Sequence, residues 1–473
     1  MTAEIAIMNK EAVALAADSA VTISQGSAPK IFASANKLFA LSLHHPIGIM
    51  VYENASFMGI PWETVIKLYR ARLGNTAYPT VKDYADDFIG FLQSESTLAP
   101  VESQEVYVAR LLASHFARVA KQIEDQVEIE IQDESIRIYE EFGRLYREVK
   151  EDVLASNYQR WRRADYAVDM DSATANALRK RYRAVIRETK GEYFGSDLTP
   201  KTSRMVTLLA GCVLSKYDEQ ALLLESSGVV ISGFGEEQLF PSLSALIVSG
   251  ISDDRLKYRH FEGKSSDIGI HNGSAIIPFA QEEMVQSFMV GIDPEFRGVL
   301  LGAVNGMLKD YPTTIIDNVK GITEQERKRL RDDTAKASLR IFEEFLGKLN
   351  DIGRTTFIAP VINTVASMPK SELPAVAEAL VNLQSFKRRV SQEQETVGGP
   401  IDVMLISKGD GLVWIKRKHY FERDLNPHYF QSVSKEERSG KRAGQQRDTR
   451  AQNGGEREQR DTLHGEGEKR SKS

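Results

Sequence analysis

Met1-Thr2-Ala3-Glu4-Ile5-Ala6-Ile7-Met8 opens the chain, and Ala12-Val13-Ala14-Leu15-Ala16-Ala17-Asp18 follows closely. Both runs are rich in small or β-branched residues and meet at Asn9-Lys10, the composition of two strands and a tight turn. A third apolar run begins at Asn36-Lys37-Leu38-Phe39. Removal of Met1 would leave a threonine carrying both a hydroxyl and a free α-amine. The hydroxyl is a poor nucleophile by itself, whereas an α-amine titrates near ~8 and can take its proton at neutral pH. Thr2, Asp18 and Lys37 thus stand at expected strand ends, where sheet geometry can converge a nucleophile, a carboxylate and an ammonium.

These three segments resemble the start of a proteasome β-type subunit, a family of N-terminal nucleophile hydrolases. There the N-terminal threonine, an acid after the second strand and a lysine before the third form the catalytic centre. The resemblance implies Thr2, Asp18 and Lys37 in those roles. The Thr2 hydroxyl would attack a carbonyl while its α-amine serves as base through a water. Lys37 would make the hydroxyl more acidic as a nearby cation, and Asp18 would keep Lys37 charged and oriented. Oxyanion donors would be backbone amides of the Val51-Tyr52 region, Val51 first, where the family usually has glycine.

The resemblance continues at Ser232-Gly-Phe-Gly-Glu-Glu with Pro241-Ser242-Leu243, at Gly273-Ser274-Ala275 before Pro278-Phe279, and at Gly398-Gly399-Pro400-Ile401-Asp402-Val403. It implies accessory groups at Ser274, in the Gly-Ser turn, and at Glu395. Val397 stands where the family has serine, and Gln394, flanked by Glu393 and Glu395, where it has an acid. Altogether the likeness spans residues 2–92, 207–295 and 373–419.

Composition narrows the alternatives. The 473 residues are 42% hydrophobic and 27% charged with a net charge of −5, which reads as soluble and globular with no broad basic surface for nucleic acid. One cysteine, Cys212, excludes an internal disulfide framework and fits a reducing cytosol, and its apolar neighbours place it in a core. No apolar run reaches membrane-spanning length, and no secretory leader is read at the N-terminus. Only Met1 is expected to be removed.

Between these segments the chain changes character. Pro61 opens a helix whose buried face is marked by Val65, Ile66, Leu68, Tyr69 and Leu73, and Thr80 with Asp83 starts another. Charge-rich helical patterns cover 106–129, 135–153 and 172–190, then 324–349 and 373–389. Their charged faces read as solvated surface, or as a docking arm for a partner. Gly233-Phe234-Gly235 is a turn rather than a phosphate loop, and adjacent His44-His45 do not make a metal pair. Beyond residue 431 the low-complexity, mixed-charge tail reads as disordered.

The resemblance implies an α+β fold, a four-layer αββα sandwich of two antiparallel sheets with helical insertions. Residues 1–93, 201–297 and 373–430 would form the catalytic domain, 94–200 and 298–372 the insertions, and 431–473 the tail. The implied function is a cytoplasmic, proteasome-like threonine peptidase that cleaves peptide or amide bonds without cofactor or metal. A homo-oligomer is expected, with an unfoldase or other protein partner on the insertions and neither nucleic acid nor membrane as a partner. Two other functions fit the same residues: a catalytically silent ring or scaffold subunit acting through its helices, and a small-molecule amidase.

Overall fold

β1 (Ala3–Asn9) and β2 (Ala12–Ala17) fold back on each other as an antiparallel pair in which Glu4 faces Ala17 and Met8 faces Val13. The computed structural model describes residues 3–23, 30–133, 139–195, 198–223, 225–390, 397–419, 421–422 and 424–428. It divides the chain into two compact units, residues 1–417 and 418–473, and every element named below belongs to the first. β3 (Val21–Ile23) and β4 (Lys30–Phe32) form a small hairpin, followed by β5 (Leu38–Ala40) and β6 (Ile47–Glu53).

Two mainly antiparallel sheets carry the fold. One is ordered Ser274–Ala280, β1, β2, Asp402–Ser407, Gly411–Lys416. The other runs Arg255–His260, Ser242–Ser252, Ser227–Gly233, β6, β5. β1 and β2 read as continuous apolar runs because both of their faces are covered. Ala6, Met8, Val13 and Leu15 share one core with Leu38, Met50, Val230 and Ala245 of the second sheet. Ile5, Ile7, Ala14 and Ala16 instead pack with helical residues such as Leu373, Ala377 and Val381. Each large apolar side chain so buried contributes roughly 1.5–3 kcal/mol.

The helices follow local signals. α1 (Trp62–Leu73) starts after Pro61 and buries Val65, Ile66, Tyr69 and Leu73, whereas Leu68, expected on that face, is exposed. α2 (Val81–Ser94) has both halves of a capping box, Thr80 accepting from the Asp83 amide and Asp83 from the Thr80 amide. α3 (Val101–Asp133), α4 (Tyr139–Arg163), α5 (Ser172–Arg181), α6 (Arg183–Phe194) and α7 (Pro200–Ser215) come next. The single helix expected over 172–190 breaks at Tyr182, whose buried hydroxyl accepts a 2.9 Å hydrogen bond from the Asp253 amide. Tyr107, Leu112, Phe116 and Trp161 share a core with Ile49, Val51 and Val229 of the second sheet. The charge-rich helices of 94–200 therefore cover a sheet with their apolar faces.

Toward the C-terminus lie α8 (Glu283–Val290), α9 (Pro294–Asn318), α10 (Glu324–Ile352), α11 (Ala359–Ala366) and α12 (Leu373–Val390). Val285, Val365 and Leu380 join the core on the outer face of the first sheet. Cys212 is part-buried against the second-sheet core, and burial raises its thiol pKa. The tail past 431 lies outside the described residues.

Candidate active site

The end of β1 at Ala3 meets the chain just past β2, and the two backbones lock together there. Asp18 donates its amide to the Ala3 carbonyl at 3.1 Å, and Ala3 returns its own amide to Asp18 Oδ1 at 3.1 Å. Asp18 Oδ2 accepts from the amides of Ala20 at 3.2 Å and Gly398 at 2.9 Å. The Lys37 ammonium sits against Asp18 Oδ1. Asp18 is 1% exposed and Lys37 5%, so this is a desolvated ion pair whose carboxylate is saturated by amides. Glycine is required beside Gly398, because Gly399 has φ +78° and a Cβ there would stand 2.8 Å from the Ala33 Cβ.

A second carboxylate reaches the same ammonium. Glu4 Oε1 lies 3.1 Å from Lys37 Nζ, with the Glu4 side chain fully buried. Glu4 shares strand parity with Ala6 and Met8, so it enters the space between the sheets rather than the helical face. Sequence reasoning passed over it. The signal was there: one acid inside an apolar strand whose neighbours on both sides are core residues.

Beside Lys37 opens a cleft of about 180 Å³, bounded by Val21, Lys37, Val51, Tyr52, Glu53 and Trp62. Trp62 is fixed by its Nε1–H, which donates to Ser227 Oγ at 2.8 Å. The Tyr52 phenol is pushed up, first by burial and then by the Glu4 charge, so it stays a neutral donor. Glu53, at the end of β6, takes a left-handed φ of 69°, a conformation that costs a non-glycine residue about 1 kcal/mol and gathers at ligand sites.

The expected site residues divide. Asp18 and Lys37 come together as described. Thr2 and Glu395 lie outside the described residues. The Val51 amide donates to the Lys37 carbonyl at 2.9 Å, so the strand pair already commits it and an oxyanion cannot use it. Along a strand the next amide on that side belongs to Glu53, two residues on. Ser274 is a correction. It pairs with Asn9, at the opposite end of β1 from Ala3, and its hydroxyl donates to the Ile362 carbonyl at 2.7 Å. The Gly-Ser pair opens the strand that runs antiparallel to β1, which carries it away from the site. Val397 is fully buried in the helical-face core. Among the described residues no group of three His, Cys, Asp or Glu could hold a metal ion, and no helix is long and apolar enough to cross a membrane.

No family model matches this chain, and no curated protein sequence does. Among solved structures it is similar to the Anbu complex of Pseudomonas aeruginosa, described as a helical assembly. The two are 8% identical, with 92% of this chain and 94% of that chain covered at a TM-score of 0.28. At that score the likeness carries no argument.

Proposed function

We propose that the chain is a threonine-type N-terminal nucleophile hydrolase of peptide or amide bonds, built on a four-layer αββα sandwich. The observation that carries this is the buried Lys37–Asp18 pair locked to the Ala3 amide, one residue after Thr2, beside an open cleft. Two strand ends have no packing reason to bury an ammonium and its carboxylate, and doing so costs stability unless the charge has work to do.

In the proposed reaction the Thr2 oxygen bonds to the substrate carbonyl carbon, and its proton passes to the Thr2 α-amine. Lys37 favours the developing alkoxide. The negative oxygen of the tetrahedral intermediate is received by backbone amide, for which Glu53 is better placed than Val51. Collapse breaks the amide bond, and the α-amine returns the proton to the leaving nitrogen. Water then cleaves the resulting ester, freeing the acid and the Thr2 hydroxyl. Asp18 orients Lys37 throughout.

The α-amine must be free for this chemistry. Intact mass of the purified chain should lack the Met1 increment, and retention of Met1 in every molecule would rule the hydrolase out.

A further inference from the structure

We propose that α9 is an association helix whose uncovered apolar face packs antiparallel against α9 of a second copy of this chain. The pairing is independent of the hydrolase chemistry.

Composition raises the question first. α9 carries no charged residue from Gly298 to Leu308, and its apolar residues are not confined to one face. A helix apolar well beyond one face needs more than one neighbour to cover it in water. α10 covers one side. Arg297 donates to Asn350 Oδ1 at 2.7 Å, Ser338 Oγ to the Leu308 carbonyl at 2.6 Å and Arg331 to Asp317 Oδ1 at 2.6 Å, which lays the two helices antiparallel. On that side Leu301, Val304 and Leu308 are half-buried and Ile316 is buried.

The other side is open. At about 100° per residue, Phe296, Val299, Leu300, Ala303, Met307 and Tyr311 fall within about 60° of one line down the helix. All six are exposed, Met307 by 71% and Tyr311 by 70%. The five large ones leave on the order of 600 Å² of apolar surface open, as much as a monomer ordinarily shows in one patch. Two copies meeting there would bury about 1,200 Å², the size at which specific interfaces begin.

The stripe is complementary to itself. Phe296, Leu300, Ala303, Met307 and Tyr311 run aromatic, aliphatic, small, aliphatic, aromatic, alike from either end. Their spacings of four, three and four residues, then four again, start as a coiled-coil seam. A two-fold axis near Ala303 sets Phe296 of one copy against Tyr311 of the other and Leu300 against Met307, while the small Ala303 lets the backbones approach. Glu295 and Lys309 lie at opposite ends of one edge of the stripe, so antiparallel copies bring unlike charges together and parallel copies like ones. A lipid surface is the poorer fit. The charges of α9 are Glu295, Arg297, Lys309, Asp310 and Asp317, with acids in excess, whereas helices that lie on membranes carry basic residues.

The test is disulfide capture in the full-length chain. Ala303→Cys puts one thiol per copy beside the axis, and copper phenanthroline in air oxidises the two thiols to a disulfide, with oxygen as electron acceptor. A covalent dimer joined at position 303 is expected on a non-reducing gel. The wild type, whose one cysteine is the part-buried Cys212, should give none. A folded Ala303→Cys chain without that crosslink overturns the proposal.

Sedimentation then tests the orientation. Leu300→Glu with Met307→Glu sets like charges against each other and should raise the dissociation constant on the order of 100-fold. Leu300→Lys with Met307→Glu sets unlike charges together in an antiparallel pair only, so it should associate far better than the double glutamate. Equal association of the wild type and the double glutamate overturns the pairing, and equal weakness of both charged variants overturns the antiparallel arrangement. Should the double glutamate fail to fold, the Ala303→Cys crosslink decides. Wild-type chain that is monomeric at micromolar concentration, yet binds phosphatidylcholine–phosphatidylserine vesicles through this face, would give the face to lipid and overturn the proposal.

Discussion

Gly398 donates its backbone N–H to Asp18 Oδ2 at 2.9 Å, across 380 residues of sequence. The segment that leads into the last strand pair of the first sheet thus completes the shell of a carboxylate set by the first. Asp18→Asn would turn an amide NH₂ toward the Ala20 and Gly398 donors or lose the Lys37 pair, whichever way the side chain flips. A cost of about 3–5 kcal/mol in urea unfolding is expected. A loss under ~1 kcal/mol would mean that the shell contributes little.

Lys37→Ala should be comparably costly, about 3–5 kcal/mol, because it strands two buried carboxylates. Glu4→Gln added to Lys37→Ala should restore part of that loss, since one stranded charge is gone. A double-mutant cycle measures the coupling. Additivity within ~0.5 kcal/mol would show that Glu4 and Lys37 do not interact.

A second buried cation, away from the site, should govern how stability depends on pH. Lys257 is 3% exposed and donates to the Val213 carbonyl at 2.8 Å. The ring of Tyr217 at 4.5 Å favours the ammonium, but desolvation wins and holds Lys257 at about 7. Unfolded, it titrates near ~10.4, so between these values the unfolded chain binds more protons. Stability must then rise with pH through that window, by up to ~1.4 kcal/mol per unit. His115, held at about 3 chiefly by burial, adds a rise between about 3 and its unfolded value near ~6.5. The urea midpoint should climb from about pH 7 to about pH 9, and Lys257→Met should flatten that climb. A wild-type midpoint that is flat or falling would contradict this.

Gly228 lies opposite Tyr52 in the second sheet, and a Cβ there would meet the Tyr52 ring at 1.9 Å. Gly228→Ala should therefore destabilise by about 3 kcal/mol, the upper end for an overpacked core. Tyr52 is the group in the way, so Tyr52→Ala should cost less in that variant than in the wild type. Equal costs in both backgrounds would place the strain elsewhere.

Much of this was legible in the sequence, for local reasons. β1, β2 and β6 announce themselves as apolar runs, and the Thr80-Asp83 capping box and the Pro61 start are complete in the chain. Asp18 and Lys37 were readable because strand ends are. Three features were not. Ser274 was misplaced because a Gly-Ser pair does not say which end of a strand it marks. The Val51 amide looked free because hydrogen-bond partners between strands depend on a register that composition does not give. The apolar faces of α3 to α6 were visible as periodicity, but not the sheet they cover, and α7 was not read as a helix at all. Glu4 is different in kind. A lone acid in an apolar strand was the signal, and its meaning came only with Lys37 beside it.

The most direct measurement is covalent labelling by a peptide electrophile that needs both a hydroxyl and a free amine on one residue. Protein lacking Met1 should take one label, and peptide mapping should find it on Thr2. Thr2→Ala should take none, and Lys37→Ala almost none, with both variants checked for folding first. Because the residues act as a unit, combining the two changes should add little to either alone. Wild-type protein with a free Thr2 amine that stays unlabelled across several such electrophiles would contradict the proposed hydrolase.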